Sequence, residues 1–299
     1  MKFCNTEDQY KKFPDTKKED VQKLMDWCSK QPHLPKNITE LEVILFLHSN
    51  YNKMEAAKMT IDNYYTSRTH MSQFFGARDV KSDDMAVAHD LFTMIPLPKL
   101  TKEGYKVILV KLHNTDPSKF DLSDTLKLFS FFCDQMLLEQ GCMEGHIIVF
   151  DMNGVTLSHV ARLTIMAIKN YLYYLQEALP FRLKGLHFIN IVPFIDKIVF
   201  LMKPFMKKEL WDVFHLDSTM DAVYERIDPS IFPKDYEKGE ENFVEYFHES
   251  CYKHLVEWRD YFLNEEKTKK VNEKLRAQKR KDAEGGYGLE GNFKKLDID

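Results

Sequence analysis

The first quarter of the chain shows the spacing of amphipathic helices. Apolar side chains recur every three or four residues over 18–29, and two prolines then interrupt the pattern. Thr39 is placed to cap a second helix, and a third is predicted over about 53–69. The pattern therefore predicts a small bundle of helices, joined by short loops, over residues 1–76.

The middle of the chain alternates between short apolar runs and amphipathic segments. Four runs have the length of a strand and end near turn-forming residues: 105–112, 146–152, 186–192 and 212–216. Helical spacing fills the intervals 123–140 and 160–177. Strands that alternate with helices indicate an α/β layer with a largely parallel sheet.

The last part of the chain returns to helical spacing. Apolar residues recur from Phe243 to Phe262, which predicts a helix that packs back on the body. Beyond Asn264 charged residues occupy all sides, so a solvated helical tail with a flexible end is expected. The predicted units are thus residues 1–76, 77–241 and 242–299.

The segment from Pro193 to Met206 differs from the other predicted helices, because apolar side chains lie nearly all around it. Such a helix is either buried on every side, or faces protein on one side and a ligand or lipid on the other. Its charged residues, Asp196, Lys197 and Lys203, argue against a membrane-spanning helix. From the pattern alone the two remaining interpretations are equally open.

Composition narrows the function classes. The net charge of −4 gives no general attraction to nucleic acid, so binding to an anionic surface requires a local basic patch. The five cysteines are odd in number and lack CxxC spacing, which is typical of free thiols in a reducing compartment. The first residues contain no apolar secretory segment. A cytoplasmic protein is expected.

Catalytic motifs give little support for an enzyme. The GxGxxG match at 286–291 follows a charged helix instead of a strand, which disfavours a nucleotide site. The sequence has no GxxxxGK[ST], GxSxG or HExxH motif. Asp151 precedes Asn153 and Gly154, a pattern more typical of a turn than of a catalytic carboxylate. We therefore expect no enzyme activity, cofactor or metal.

Four segments, taken in order, resemble the CRAL-TRIO lipid-binding family, especially its alpha-tocopherol transfer and retinaldehyde-binding branch. They are IIVFDMNGVTLSH (147–159), ALPFRLKGLHFIN (178–190), VFLMKPFMKKEL (199–210) and IFPKDYEKGEE (231–241). Residues 41–65 are similar to the small helical domain that precedes the lipid-binding domain in this family. The resemblance implies an α/β sheet with a hydrophobic pocket, closed by a mobile gate helix at residues 193–206.

The resemblance also implies the pocket lining, although ordinary core packing is an equal alternative for any single residue. The candidates are Leu126, Phe129, Cys133, Phe150, Leu163, Tyr174, Leu175, Phe188, Ile198, Met202 and Phe205. Three of them, Phe150, Phe188 and Met202, are predicted to meet at a cavity of several hundred Å³. His187 and Asn190, in the family's GxHxIN strand, are expected to be structural.

A membrane-binding patch is implied as well, with phosphoinositide headgroups as the anionic partner. Arg182 and Lys184 match two of its basic positions, whereas Glu209 and Val213 stand where that branch has basic residues. Three lysines near the gate are candidates to replace the positive charge that is missing at Glu209 and Val213. The expected patch is therefore Arg182, Lys184, Lys203, Lys207 and Lys208.

The expected function is the binding and transfer of a retinoid, tocopherol, carotenoid or other lipid, with delivery at membranes. A lipid-sensing regulatory or adaptor protein with the same pocket is the alternative. A lipid hydrolase or isomerase is a third possibility, without a visible nucleophile. No nucleic-acid partner is expected, and the sequence leaves the oligomeric state open.

Overall fold

The computed structural model describes residues 1–277, and the amino-terminal part of it is helical. The first six helices are α1 (Thr6–Lys12), α2 (Lys18–Lys30), α3 (Glu40–Ser49), α4 (Met54–His70), α5 (Ser72–Phe75) and α6 (Asp83–Leu91). Thr39 caps α3 as predicted, because its side chain accepts from Glu42 N–H while the Glu42 carboxylate accepts from Thr39 N–H. The short helices α1 and α6 were not predicted.

A five-stranded sheet forms the centre of the molecule. Its strands are β1 (Phe92–Leu100), β2 (Tyr105–Leu112), β3 (Gly145–Asp151), β4 (Leu183–Ile189) and β5 (Phe214–Asp217). They lie side by side in chain order, with β1 antiparallel to β2 and the other pairs parallel. Sequence analysis missed β1, which contains Pro96 and Pro98. Prolines lack the donor that an inner strand needs, but an edge strand tolerates them.

Within the described residues, eight further α-helices follow the first six. They are α7 (Leu122–Gln140), α8 (Leu157–Val160), α9 (Ile165–Glu177), α10 (Ile195–Met202), α11 (Lys208–Trp211), α12 (Met220–Tyr224), α13 (Val244–Val256) and α14 (Arg259–Thr268). The predicted helix over 193–206 is therefore shorter, since a 3-10 turn containing Pro204 follows α10. The predicted α/β class with amino-terminal helices is confirmed.

Alternation along the strands gives the sheet two different faces. Val110, Phe150 and Phe188 are neighbours on one face, which we call the cavity face. The opposite face, called the packed face, carries Leu109 and Val149. The packed face is filled by side chains of α12, α13 and the segment between them: Val223, Ile227, Ile231, Phe232 and Phe247. The cavity face shares its hydrophobic cluster with the amino-terminal helices, α7, α9 and α10.

The prediction of a solvated tail after Asn264 is wrong for three of its charged residues, Glu265, Lys269 and Arg276. The Glu265 carboxylate is buried and lies 2.7 Å from Arg68 Nη2 and 3.2 Å from Arg78 Nε. Lys269 pairs with Glu42 in the interior, and Arg276 Nη1 lies 2.8 Å from Asp62 Oδ1. Burying these charges is tolerable because each has a partner of opposite sign. A sequence pattern cannot identify partners that are distant in the chain, so it predicts solvent exposure for these charged residues.

Two further expectations concern the ends of the molecule. The predicted helix over 243–262 is interrupted at Glu257 and Trp258, which separate α13 from α14. The flexible end and the GxGxxG match at 286–291 lie outside the described residues. Within residues 1–277, no helix combines the length and apolar character needed to cross a membrane.

Candidate ligand cavity

The cavity face is not completely filled. An apolar cavity of about 210 Å³ lies between β2, β3 and β4 on one side and α7, α9 and α10 on the other. This is less than the several hundred Å³ expected from the sequence. The side chains from β2, β3 and β4 are Val110 and Leu112, Ile148 and Phe150, and Leu186 and Phe188. They occupy alternate strand positions, as the two-residue period of a strand requires.

The wall is almost wholly apolar. Of its 23 residues, only Thr125, His159 and Tyr171 carry polar side-chain atoms, and none is acidic, lysine or arginine. Thr125 Oγ1 donates to Asp121 O at 2.8 Å, and Tyr171 Oη lies 3.1 Å from Ser130 Oγ. Burial of the phenol raises the pKa of Tyr171 well above its usual range, so the hydroxyl stays neutral. The cavity therefore suits an uncharged, mainly hydrocarbon molecule.

Eight of the eleven candidate lining residues lie in this wall. They are Leu126, Phe129, Phe150, Leu163, Leu175, Phe188, Ile198 and Met202. The structure thus brings Phe150, Phe188 and Met202 to one cavity. The Phe150 and Phe188 rings stack, with centroids 5.2 Å apart. Contact of any of these residues with a ligand stays a prediction.

The other three candidates lie elsewhere. Cys133 is buried one helical turn beyond Phe129 and is absent from the cavity wall. Tyr174 faces the amino-terminal helices, where Arg68 donates to its hydroxyl at 3.3 Å and the Phe75 ring lies 4.7 Å away. Phe205 lies in the 3-10 turn after α10, half-buried. Helical spacing located the correct helices for Cys133 and Tyr174 but did not fix where the cavity ends.

Sequence analysis also missed part of the wall. Alternation along the predicted strands was a usable signal for Val110, Leu112, Ile148, Met152 and Leu186. Helical spacing could have identified Leu122, Ile168, Tyr171 and Leu172. No periodic signal marked the residues from connecting segments, short elements or the unpredicted edge strand: Phe92, Phe120, Val155, His159 and Val160. Thr125 lies in the predicted helix α7, but an apolar stripe does not mark a polar residue.

Helix α10 covers the cavity and has two different sides. Ile198 and Met202 face the cavity, whereas the Phe200 side chain is 77% exposed. The chain enters this helix from Asn190, whose φ of 49° lies in the left-handed region and whose side-chain amide donates to Asp151 Oδ1 at 2.9 Å. After the helix, Gln176 of α9 accepts from Lys207 N–H at 2.7 Å and donates to Phe205 O at 3.0 Å. Both ends of the cover are thus held by side-chain hydrogen bonds.

His187 lies on the packed face, away from the cavity. Its Nδ1 is 2.9 Å from Asp217 Oδ2, and Arg226 donates to the other oxygen of that carboxylate at 2.9 Å. Burial lowers the pKa of His187, and the Asp217 hydrogen bond opposes this shift. The positions of His187 and Asn190 agree with the structural roles expected for them.

The five basic candidates fall into two groups. Arg182 and Lys184 both lie over the ring of Tyr51, at 4.4 and 5.4 Å from its centroid. Lys203, Lys207 and Lys208 follow the cover helix. Lys203 lies 5.3 Å from the Trp211 ring centroid, Lys207 pairs with Glu177, and Lys208 Nζ lies 3.1 Å from Asp212 Oδ2. All three lysines lie at the surface.

Together, the fold and the cavity define a class of protein: an α/β domain that follows a helical bundle and has an apolar cavity beneath a short helix. Residues 93–239 match the family model described as the CRAL/TRIO domain, and residues 13–85 match the model described as a Pinta-like UBA domain. The chain is a member of the CRAL-TRIO family.

Relatives and a solved structure agree with this assignment. The human protein "Alpha-tocopherol transfer protein-like" is 24% identical over 226 residues, which cover 75% of this chain and 66% of that protein, just under two thirds. "Clavesin-1" of Xenopus laevis is 24% identical over 229 residues, 75% of this chain and 68% of the relative. The crystal structure of Sfh5 covers 89% of this chain and 98% of its own, with a TM-score of 0.53 and 14% identity, which shows a shared fold.

Proposed function

We propose that this protein binds an uncharged hydrophobic molecule in the cavity and transfers it between membranes without chemical change. The observation that carries the proposal is the apolar cavity under a helix with one inward and one outward apolar side. A relative named alpha-tocopherol transfer protein-like supports transfer of a lipid as the activity. In an uncharged pocket, binding is driven by burial of the ligand's apolar surface. This burial contributes about 25 cal/mol of free energy per Å², before the entropy lost on ordering the ligand and the protein is subtracted.

The size of the cavity supports a cover that moves. About 150 Å³ of apolar cavity is enough to hold benzene, so 210 Å³ accommodates one ring or a short chain. Sites for larger ligands are usually about 300–1,000 Å³. A lipid of greater length therefore requires an outward shift of α10, for which the segments at Asn190 and after Met202 are the natural hinges.

The exposed side of the cover favours opening at a membrane. Phe200 is 77% exposed, and Ile165 and Met166 in the first turn of the neighbouring α9 are each 58% exposed. An apolar helix face of this kind is stabilised at a bilayer interface. Lysines near an anionic surface contribute about 1 kcal/mol each, which makes Lys203, Lys207 and Lys208 the proposed contacts with anionic headgroups. We propose that this contact is transient and that the protein otherwise resides in the cytoplasm.

Transfer between vesicles tests this proposal. A pyrene-labelled hydrocarbon lipid is loaded into donor vesicles, and its arrival in anionic acceptor vesicles is followed by excimer fluorescence. We expect wild-type protein to accelerate transfer, and Phe200→Ala to slow it about fivefold, because the cover loses its membrane contact. Tyr246→Ala removes another exposed aromatic side chain, on α13, and is the matched control.

The lysines are tested in the same assay. The double substitution Lys207→Glu and Lys208→Glu should slow transfer to anionic acceptors and leave transfer to neutral acceptors near the wild-type rate. Saturable binding of the lipid without any transfer would contradict the carrier proposal and favour the lipid-sensing alternative. Absence of binding by folded protein would contradict both.

A further inference from the structure

One polar group in the cavity wall has no assigned role. His159, in α8, is 4% exposed and forms part of the wall beside Phe120, with ring centroids 5.7 Å apart. Its Nδ1 accepts a hydrogen bond from the backbone N–H of Thr156 at 3.1 Å. A backbone N–H can only donate, so Nδ1 is the unprotonated nitrogen and the neutral ring carries its proton on Nε2.

The Nε2–H donor of His159 is buried and has no hydrogen-bond partner among residues 1–277. Burial lowers the pKa of His159, which keeps the ring neutral and preserves this tautomer. A buried donor without an acceptor is unfavourable, and most such groups in proteins are paired. The His159 ring borders the cavity, but Nε2 itself is not exposed to it, so a ligand oxygen reaches this donor only when the surrounding side chains shift.

The other two polar groups of the wall have already used their donors. Thr125 donates to Asp121 O, and Ser130 donates to Leu126 O at 2.8 Å. Because the Ser130 proton is used in this way, the Tyr171 hydroxyl must donate to Ser130 Oγ. Among the described residues of the wall, His159 is therefore the one whose donor has no partner within the protein.

We propose that His159 Nε2–H donates to an oxygen atom of the ligand, and that the ligand is an apolar molecule with a neutral acceptor oxygen, such as a ketone, aldehyde or alcohol. This inference rests on the proposed function, since it requires that the cavity binds a hydrophobic molecule. A pure hydrocarbon would leave the donor unpaired. An ionised carboxylate would find no cationic side chain in the wall and would keep its full cost of burial.

Two probes that differ only in the oxygen test the proposal. Undecan-2-one and undecane, delivered from cyclodextrin, compete with a fluorescent apolar dye bound to the full chain. We expect wild-type protein to bind the ketone about tenfold more tightly than the alkane, the size expected when a buried donor gains an acceptor. The ratio of the two affinities is the readout, because a change in cavity shape affects both probes alike.

Two substitutions separate the donor from the local structure. His159→Asn places an amide oxygen near the position of Nδ1 and can keep the contact with Thr156 N–H, but it removes the donor at Nε2. His159→Gln places an amide N–H near the position of Nε2. We expect the ketone preference to fall to about one in the Asn variant and to persist in the Gln variant. An unchanged preference in folded His159→Asn would overturn the proposal.

Wild-type protein provides a readout that does not depend on folding of a variant. In protein labelled with ¹⁵N-histidine, the His159 Nε2–H proton resonance should move downfield on addition of undecan-2-one and not of undecane. Equal binding of both probes with no such shift would overturn the assignment of His159 and leave the proposed carrier function intact. Failure of folded wild-type protein to bind either probe would overturn both.

Discussion

The two faces of the sheet have similar apolar composition and different interiors. Ile147 and Ile148 are adjacent on β3, 5% and 1% exposed, and point to opposite faces. Ile147 packs in the cluster of the packed face, whereas Ile148 borders the cavity. Hydrophobicity and burial do not distinguish these residues. The difference depends on which elements cover each face.

The covers differ in how they fill the space above the strands. On the packed face, Phe232 and Phe247 join three branched residues, Val223, Ile227 and Ile231, among the strand side chains. On the cavity face, α10 has only eight residues and contributes two side chains to the wall, Ile198 and Met202. A short cover with few inward side chains leaves a cavity. The cavity therefore comes from the cover more than from the strands.

The largest expected difference between the faces is in the cost of removing a side chain. Leu109→Ala on the packed face should lower the free energy of unfolding by about 4 kcal/mol, near the upper end of such substitutions. Leu186→Ala should cost about 2 kcal/mol, because a leucine that already faces a void has fewer contacts to lose. Urea denaturation of both variants measures the difference. Equal losses would mean that the cavity face is as well packed as the opposite one.

The sequence predicted much of the fold because local patterns determine it. The strand predicted over 105–112 coincides with β2, and the helix over 123–140 differs from α7 by one residue at its start. The edge strand β1 was missed because its prolines disfavour an inner strand. The paired charges of Glu265 and Lys269 were misread because their partners, Arg68 and Glu42, are distant in sequence.

The site was less predictable than the fold. Periodicity assigns a residue such as Phe150 or Leu126 to a face of a strand or helix, and such residues lie in the wall as expected. It cannot show where a cavity ends, so Cys133 was assigned to the wall although it lies beyond it. It also cannot identify His159, whose importance depends on a hydrogen bond that one ring nitrogen makes and the other lacks.

A smaller effect is expected from the histidines on the two faces. His146, by alternation on the cavity-face side of β3, stacks on Phe181 at 3.9 Å, and neither ring nitrogen has a partner within residues 1–277. Burial lowers the pKa of His146 to about 3, against about 6.5 in an unfolded chain. Between these values the unfolded chain binds more protons, so the contribution of His146 to stability is complete above pH 6.5 and falls as the pH decreases.

Replacing each histidine by phenylalanine distinguishes the unpaired His146 from His187, which is paired with Asp217. His146→Phe should retain at pH 5 about 2 kcal/mol of stability that wild-type protein loses relative to pH 7.5. His187→Phe should instead lower stability already at pH 7.5, by about 1–3 kcal/mol, because Asp217 loses its buried partner. Urea denaturation at the two pH values measures both effects. A His146→Phe variant with the acid sensitivity of wild-type protein would contradict the assignment.

The most direct test of the account enlarges one side chain on each face of β3. Ile148→Phe adds volume within the cavity, so we expect at least a tenfold loss of affinity for an apolar fluorescent lipid and a stability change below about 1 kcal/mol. Ile147→Phe overfills the packed face, so we expect a stability loss of about 1–3 kcal/mol and an affinity within twofold of wild type. Unchanged lipid affinity in Ile148→Phe, with a stability loss equal to that of Ile147→Phe, would contradict the claim that the cavity face is the ligand site.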